Sequence, residues 1–118
     1  SRDRVEIVSL EIDEFAKLVN YNSENERLQK VRDLFVFQCL TGQRWSDINS
    51  IGWVDIKNDI WELYQIKGSK TKKIEIPLHS VAISIINKYR EKGHISPLPR
   101  LSNQKYNDAI KDLCKELE

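Results

Sequence analysis

Apolar residues change their spacing several times along these 118 residues, and each change predicts an element. Val5, Ile7 and Leu10 alternate with polar neighbours, which predicts an extended lead-in over residues 1–10. Ile12, Phe15, Leu18 and Val19 then recur at helical spacing, predicting a first helix from Glu11 to Asn20. Its acidic first turn (Glu11, Asp13, Glu14) complements the helix dipole. After the polar connection Tyr21–Asn25, a second helix starts near Glu26 and carries Leu28, Val31, Leu34, Phe35 and Leu40. Its later part, Leu34-Phe35-Val36-Phe37-Gln38-Cys39-Leu40, is too uniformly apolar for a surface helix and reads as buried. Gly42 stops it, because glycine takes the left-handed conformation of a helix C-terminus at little steric cost. Ser46 or Asp47 is expected to cap a short new helix with Ile48 and Ile51 three apart.

The pattern then shortens to strand periods. Trp53 to Ile56 is expected as a short strand and Lys57-Asn58-Asp59 as a turn. Ile60, Glu62, Tyr64 and Ile66 alternate with Trp61, Leu63 and Gln65, a strand with apolar groups on both faces. Gly68-Ser69 turns the chain, Ile74 to Ile76 returns it, and Pro77 ends the last strand. Ser80 or His79 opens an amphipathic helix carrying Val81, Ile85, Ile86 and Tyr89, closed near Gly93. Ser96–Pro99 is a loop, and Ser102 caps a final helix with Tyr106, Ala109, Ile110 and Leu113 on one face. The expected fold is α+β: mainly helical, with a small three-stranded antiparallel sheet. Residues 1–52 form the helical part, 53–78 the meander and 79–118 two helices, all of one partial domain.

Composition adds limits. Hydrophobic residues make up 40% of the chain and the mean hydropathy is −0.54, values that suit a globular chain. No apolar run reaches membrane-spanning length and no signal-peptide pattern opens the sequence. Cys39 and Cys114 fall in predicted helices far apart, so reduced thiols in a cytoplasmic protein are expected. The absence of methionine is expected of an excised piece of a longer protein or of a processed chain. The net charge of +1 hides an asymmetry: residues 1–59 carry a net −3 and residues 60–118 a net +4. The positive excess begins at Lys67, Lys70, Lys72 and Lys73, close together on one predicted hairpin, where a polyphosphate would feel the local field. Lysines also protect exposed sheet edges from aggregation, which is the commoner reason for such a cluster. Trp45, Trp53 and Trp61 are expected to pack in the core and elbow rather than stack on bases.

The segment Thr41-Gly42-Gln43-Arg44-Trp45-Ser46-Asp47-Ile48 sets an arginine on a rigid elbow between a buried helix and the start of another. A planar, permanently charged five-donor group held there is suited to gripping a phosphate; the alternative is a structural arginine tied to a carboxylate such as Asp47. The order Thr-Gly-x-Arg-x-Ser-Asp-Ile, then Trp53-x-Asp55-Ile56, then Lys70-Thr71 before Ile76-Pro77-Leu78 resembles the tyrosine recombinase (phage integrase) family. The similarity is strongest to integrases of mobile and conjugative elements, and covers only the first part of that family's catalytic domain. It implies a truncated catalytic-core fold.

It also implies a chemistry. A tyrosine attacks a DNA phosphodiester to give a 3′-phosphotyrosyl intermediate, a 5′-hydroxyl leaves, and that hydroxyl's later attack rejoins the strands without cofactor or metal. Fixed donors stabilise the charge that builds on the non-bridging oxygens, and a hairpin lysine protonates the leaving oxygen. Arg44 stands at the position of the first arginine and Lys70 at that of the lysine, while Lys67, Lys72 and Lys73 remain alternatives for the proton donor. Lys67, Thr71, Lys72 and Lys73 would contact DNA. Gln43 stands where the family more commonly has leucine, a packing position. The family's His-x-x-Arg pair and nucleophilic tyrosine have no counterpart here: His79 and His94 head no such motif, and Tyr21, Tyr64, Tyr89 and Tyr106 lie too far upstream. The chain is therefore expected to be inactive alone and monomeric. The parent protein is expected to be a bacterial, nucleoid-associated enzyme acting on double-stranded DNA as a tetramer, with no membrane or metal partner. The alternative is a non-enzymatic DNA-binding or regulatory module that uses only the basic hairpin.

Overall fold

The computed structural model describes residues 12–118; the predicted lead-in and Glu11 lie outside the described residues. The helices are α1 (Ile12–Asn20), α2 (Glu26–Thr41), α3 (Trp45–Ser50), α4 (Ser80–Glu91) and α5 (Asn103–Glu116). Between α3 and α4 lie a 3-10 turn (Trp53–Asp55) and strands β1 (Ile56–Lys57), β2 (Ile60–Lys67) and β3 (Lys70–Pro77), in the order β1-β2-β3. The architecture is α+β, mostly helical, with one antiparallel three-stranded sheet.

α2 is the central helix, and its run from Asp33 to Gln38 is buried on every side. It packs against α1, α3, α4 and α5. Asn25 caps its start by accepting from the amides of Arg27 and Leu28, and Gly42 (φ +70) ends it, its amide donating to Gln38. A side chain at Gly42 would be strained by the backbone, although nothing lies within 4 Å of where its Cβ would sit. The core continues through Ile48, Ile51, Trp61, Ile86, Leu98 and Leu113, with the Phe37 and Trp61 rings 5.7 Å apart.

Two buried polar clusters hold the helices together. Asp33, fully buried, accepts from Arg32 (2.7 Å) and from the Tyr89 hydroxyl, and pairs with Lys88. Arg32 also donates to the carbonyls of Leu18 and Val19 at the end of α1, so one carboxylate ties α1, α2 and α4. The Tyr106 hydroxyl donates to Gln38 Oε1 at 2.7 Å, joining α5 to α2. Burial of the phenols, reinforced at Tyr89 by the Asp33 carboxylate, pushes both pKa values well above the ordinary tyrosine value.

Three sequence expectations are corrected. Trp53–Asp55 is a 3-10 turn and not a strand: the Asp55 carboxylate accepts from the Gly52 amide at 2.8 Å and winds the segment tight. β3 begins at Lys70 and not Ile74, because the two-residue turn Gly68-Ser69 (Gly68 φ +64) carries pairing through the polar residues. The N-cap of α3 is Arg44, in extended backbone with no side-chain cap bond, rather than Ser46 or Asp47, which lie within the helix. As composition suggested, Asn58 and Asp59 form the β1–β2 turn, both at positive φ. Ser102 caps α5 through the Lys105 amide. Cys39 is partly buried, Cys114 is exposed, and neither forms a disulfide.

Candidate nucleic-acid interface

The six residues of α3 are too few to hold a helix by their own hydrogen bonds, and the segment before α5 clamps them. Trp45 Nε1 donates to the Leu101 carbonyl (3.1 Å), and the Leu101 amide donates to Asn49 Oδ1 (3.2 Å). Arg100 donates to the carbonyls of Asn49 and Ile51 at the end of α3. These bonds satisfy acceptors that a helix C-terminus leaves open. Desolvation of the Arg100 guanidinium against α3, opposed by the nearby Asp55 charge, draws its pKa down from the ordinary arginine value. Nothing in the local pattern around Arg100 signalled this role.

Arg44 opens the clamped helix and is exposed. Its carbonyl accepts from the Asp47 and Ile48 amides, but among the described residues its guanidinium makes no hydrogen bond and no ion pair; the side-chain tie to Asp47 is not formed. The elbow thus presents an uncommitted guanidinium on a fixed backbone.

The sheet register sorts the hairpin lysines. Directly paired residues share a face, so Trp61, Leu63, Gln65 and Lys67 lie with Ile76, Ile74, Lys72 and Lys70 on one face. That face is buried at its base, where Trp61 and Leu63 meet the helices, and exposed at its tip. Lys73 lies on the opposite face, within 3.6 Å of Glu62 and 3.8 Å of Glu75. Thr71 is also on that outer face, beside the exposed Tyr64 and Ile66. Of the six sequence-nominated residues, Lys67, Lys70 and Lys72 therefore share a face, whereas Thr71 and Lys73 do not share it. Lys67, Lys70 and Lys72 are exposed, and among the described residues their ammonium groups make no hydrogen bond or ion pair. Lys67 and Lys70 are direct cross-strand partners, a like-charge pair that costs the hairpin stability unless an anion offsets it.

The elbow and this face are joined. Gln65 Nε2 donates to Gln43 Oε1 at 3.0 Å, and Gln43 Nε2 donates to the Thr41 carbonyl at 3.3 Å. Gln43 immediately precedes Arg44, and Gln65 sits directly across from Lys72. Gln43 thus fills more than a packing position.

The other aromatic and titratable candidates are engaged elsewhere. Trp53 Nε1 donates to the His94 carbonyl (3.0 Å) beneath the Arg90 guanidinium, and Trp61 is core, as expected of both. His79 Nδ1 accepts from the Val81 amide as the N-cap of α4. Tyr89 and Tyr106 are buried donors. An apolar cleft of about 330 Å³ lies between α1, α2 and α5, on elements other than the elbow and hairpin. Among the described residues, no group of three or more His, Cys, Asp or Glu side chains could hold a metal, and no helix is long and apolar enough to cross a membrane.

Comparison with protein-family models, with curated proteins and with solved structures found no match.

Proposed function

We propose that this chain is the part of a tyrosine-type site-specific DNA recombinase that grips the scissile phosphate and adjoining backbone of duplex DNA. One observation carries the reading: the exposed Arg44, its guanidinium unpaired, follows directly on Gln43, which is hydrogen-bonded to the sheet face that bears the unpaired side chains of Lys67, Lys70 and Lys72. Their donors are not used within the fold, so they could serve a ligand of opposite charge. The motif order around Arg44, Trp53-x-Asp55-Ile56 and Lys70-Thr71 selects DNA among polyanions and this chemistry among DNA reactions. Arg44 would hold a non-bridging oxygen, and a lysine of the shared face, Lys70 by motif position, would protonate the leaving 5′-oxygen. Lys73 is disfavoured as that donor by its face and its two glutamates.

The His-x-x-Arg pair and the nucleophile must then come from elsewhere in a parent protein, because the chain has neither and its buried tyrosines are bound to Asp33 and Gln38. The same fact supports a second reading, a DNA-binding or regulatory module without catalysis. Titration of the chain with a fluorescent duplex at rising salt tests what both share. Binding should weaken steeply with salt, and each of Lys67→Ala, Lys70→Ala and Lys72→Ala should lower the log–log slope by about 0.9. No binding at low salt would remove both readings. In a protein extended to carry the missing groups, Arg44→Ala should abolish the covalent DNA–protein complex while leaving duplex affinity within about tenfold. An active Arg44→Ala variant would leave only the module.

A further inference from the structure

We infer that Gln43 and Gln65 form a clasp that positions the hairpin lysines against Arg44, so that elbow and hairpin meet a DNA backbone as one unit; this rests on the DNA reading above. Both partners are partly buried, and the bond spans 22 residues of sequence. Gln65 is the outermost position of β2 that is not fully exposed. Its predecessors on that face, Trp61 and Leu63, are anchored by the core, and its successor Lys67 is exposed. On β3 the last partly buried residue toward the tip is Ile74. Beyond these positions the hairpin is a two-stranded ribbon, which has little stability of its own in water. Among the described residues the clasp is therefore the last tertiary hydrogen bond before the tip.

Its placement suits positioning rather than bulk packing. One end is Gln43, bonded back to the Thr41 carbonyl at the end of α2 and covalently next to Arg44. The other end faces Lys72 across the ladder, at the ~4.5–5.5 Å Cα separation of antiparallel partners. A leucine at position 43 would fill similar volume but supply no acceptor for the Gln65 amide. The tip lysines would then move independently of the elbow, and each phosphate contact would be made at its own entropic cost.

The test has a DNA-free arm and a DNA arm, each on wild type, Gln43→Leu and Gln65→Leu. Without DNA, ¹⁵N order parameters of residues 67–72 should drop from near ~0.85 toward ~0.6 or below in both variants, with α2 and α5 unchanged. Unchanged order at the tip would overturn the inference, whatever the chain does with DNA. With duplex, a double-mutant cycle of Arg44→Ala and Lys72→Ala should show coupling greater than about twofold in wild type, and multiplicative effects in either leucine variant. Equal coupling in all three backgrounds would also overturn it. Failure of wild type to bind duplex would instead remove the DNA reading, and the order parameters alone would then decide the clasp.

Discussion

The helical body and the tip of the hairpin treat charge in opposite ways. In the body, every described buried side-chain polar atom has a partner, and Asp33, the one fully buried carboxylate among the described residues, is met by an arginine, a lysine and a phenol. At the tip, Lys67 faces Lys70 across the ladder with no ion-pair partner among the described residues, and Lys72 follows on the same face. The body uses electrostatics to fix one arrangement of helices. The tip holds repulsion that a ligand could relieve. Such a difference within one small chain separates groups whose charge is matched inside the fold from groups whose charge is not.

Asp33 offers the largest break in that contrast. Asp33→Ala leaves Arg32 and the Tyr89 hydroxyl without their buried acceptor, and unfolding by urea should show a loss of about 3–5 kcal/mol. A loss below about 1 kcal/mol would mean that the cluster is not what holds α1, α2 and α4.

Alkaline pH comes next. Burial pushes the Cys39 thiol from 9.0 up to about 12 and raises Tyr89 and Tyr106 above 10.0. Groups whose folded pKa is raised stabilise the fold below their unfolded pKa, and that stability is lost as pH climbs toward the folded one. Cys39 should therefore cost up to about 1.4 kcal/mol per pH unit from about pH 9 to about 12, and each tyrosine up to the same slope only above about pH 10. Stability measured at pH 8 and again near pH 10.5 should differ clearly; a flat profile would show that these groups ionise as freely folded as unfolded.

The tip should respond least and with the opposite sign. Lys67→Gln removes the like-charge pair, so it should raise stability by about 0.2–1 kcal/mol while weakening duplex binding. A substitution that improves the fold and impairs the binding would sharpen the contrast; one that lowers both would place Lys67 with the body.

Much of the fold was legible because its signals are local. The apolar run Leu34–Leu40, the Gly42 stop, the Asn58-Asp59 turn and the Ser102 cap each follow from residues within a few positions. The place of Arg44 at an elbow between two helices, and of the lysines on one hairpin, was legible in the same way. What escaped depends on distance or on pairing. Gln43 meets Gln65 22 residues on, Arg100 reaches back 51 residues to Asn49, and Asp33 meets Tyr89 56 residues away. No window of sequence contains both ends of such a bond. β3 began early because ladder register propagates from the Gly68-Ser69 turn regardless of how polar the paired residues are. The supposed strand at Trp53 failed because one carboxylate, Asp55, captured the Gly52 amide and outweighed the β-favouring side chains.

The clamp from Arg100 and Leu101 onto α3 also has a consequence in time. A chain leaves the ribosome from its N-terminus, at roughly 5–20 residues per second. The elbow residues emerge some fifty positions before the residues that lock them. For those seconds the six-residue helix has no fastening at its far end, and Arg44 is a charge on a loose strand. The elbow acquires its fixed bearing only when position 101 is free of the exit tunnel, so the start of α3 is among the later parts of this chain to be locked.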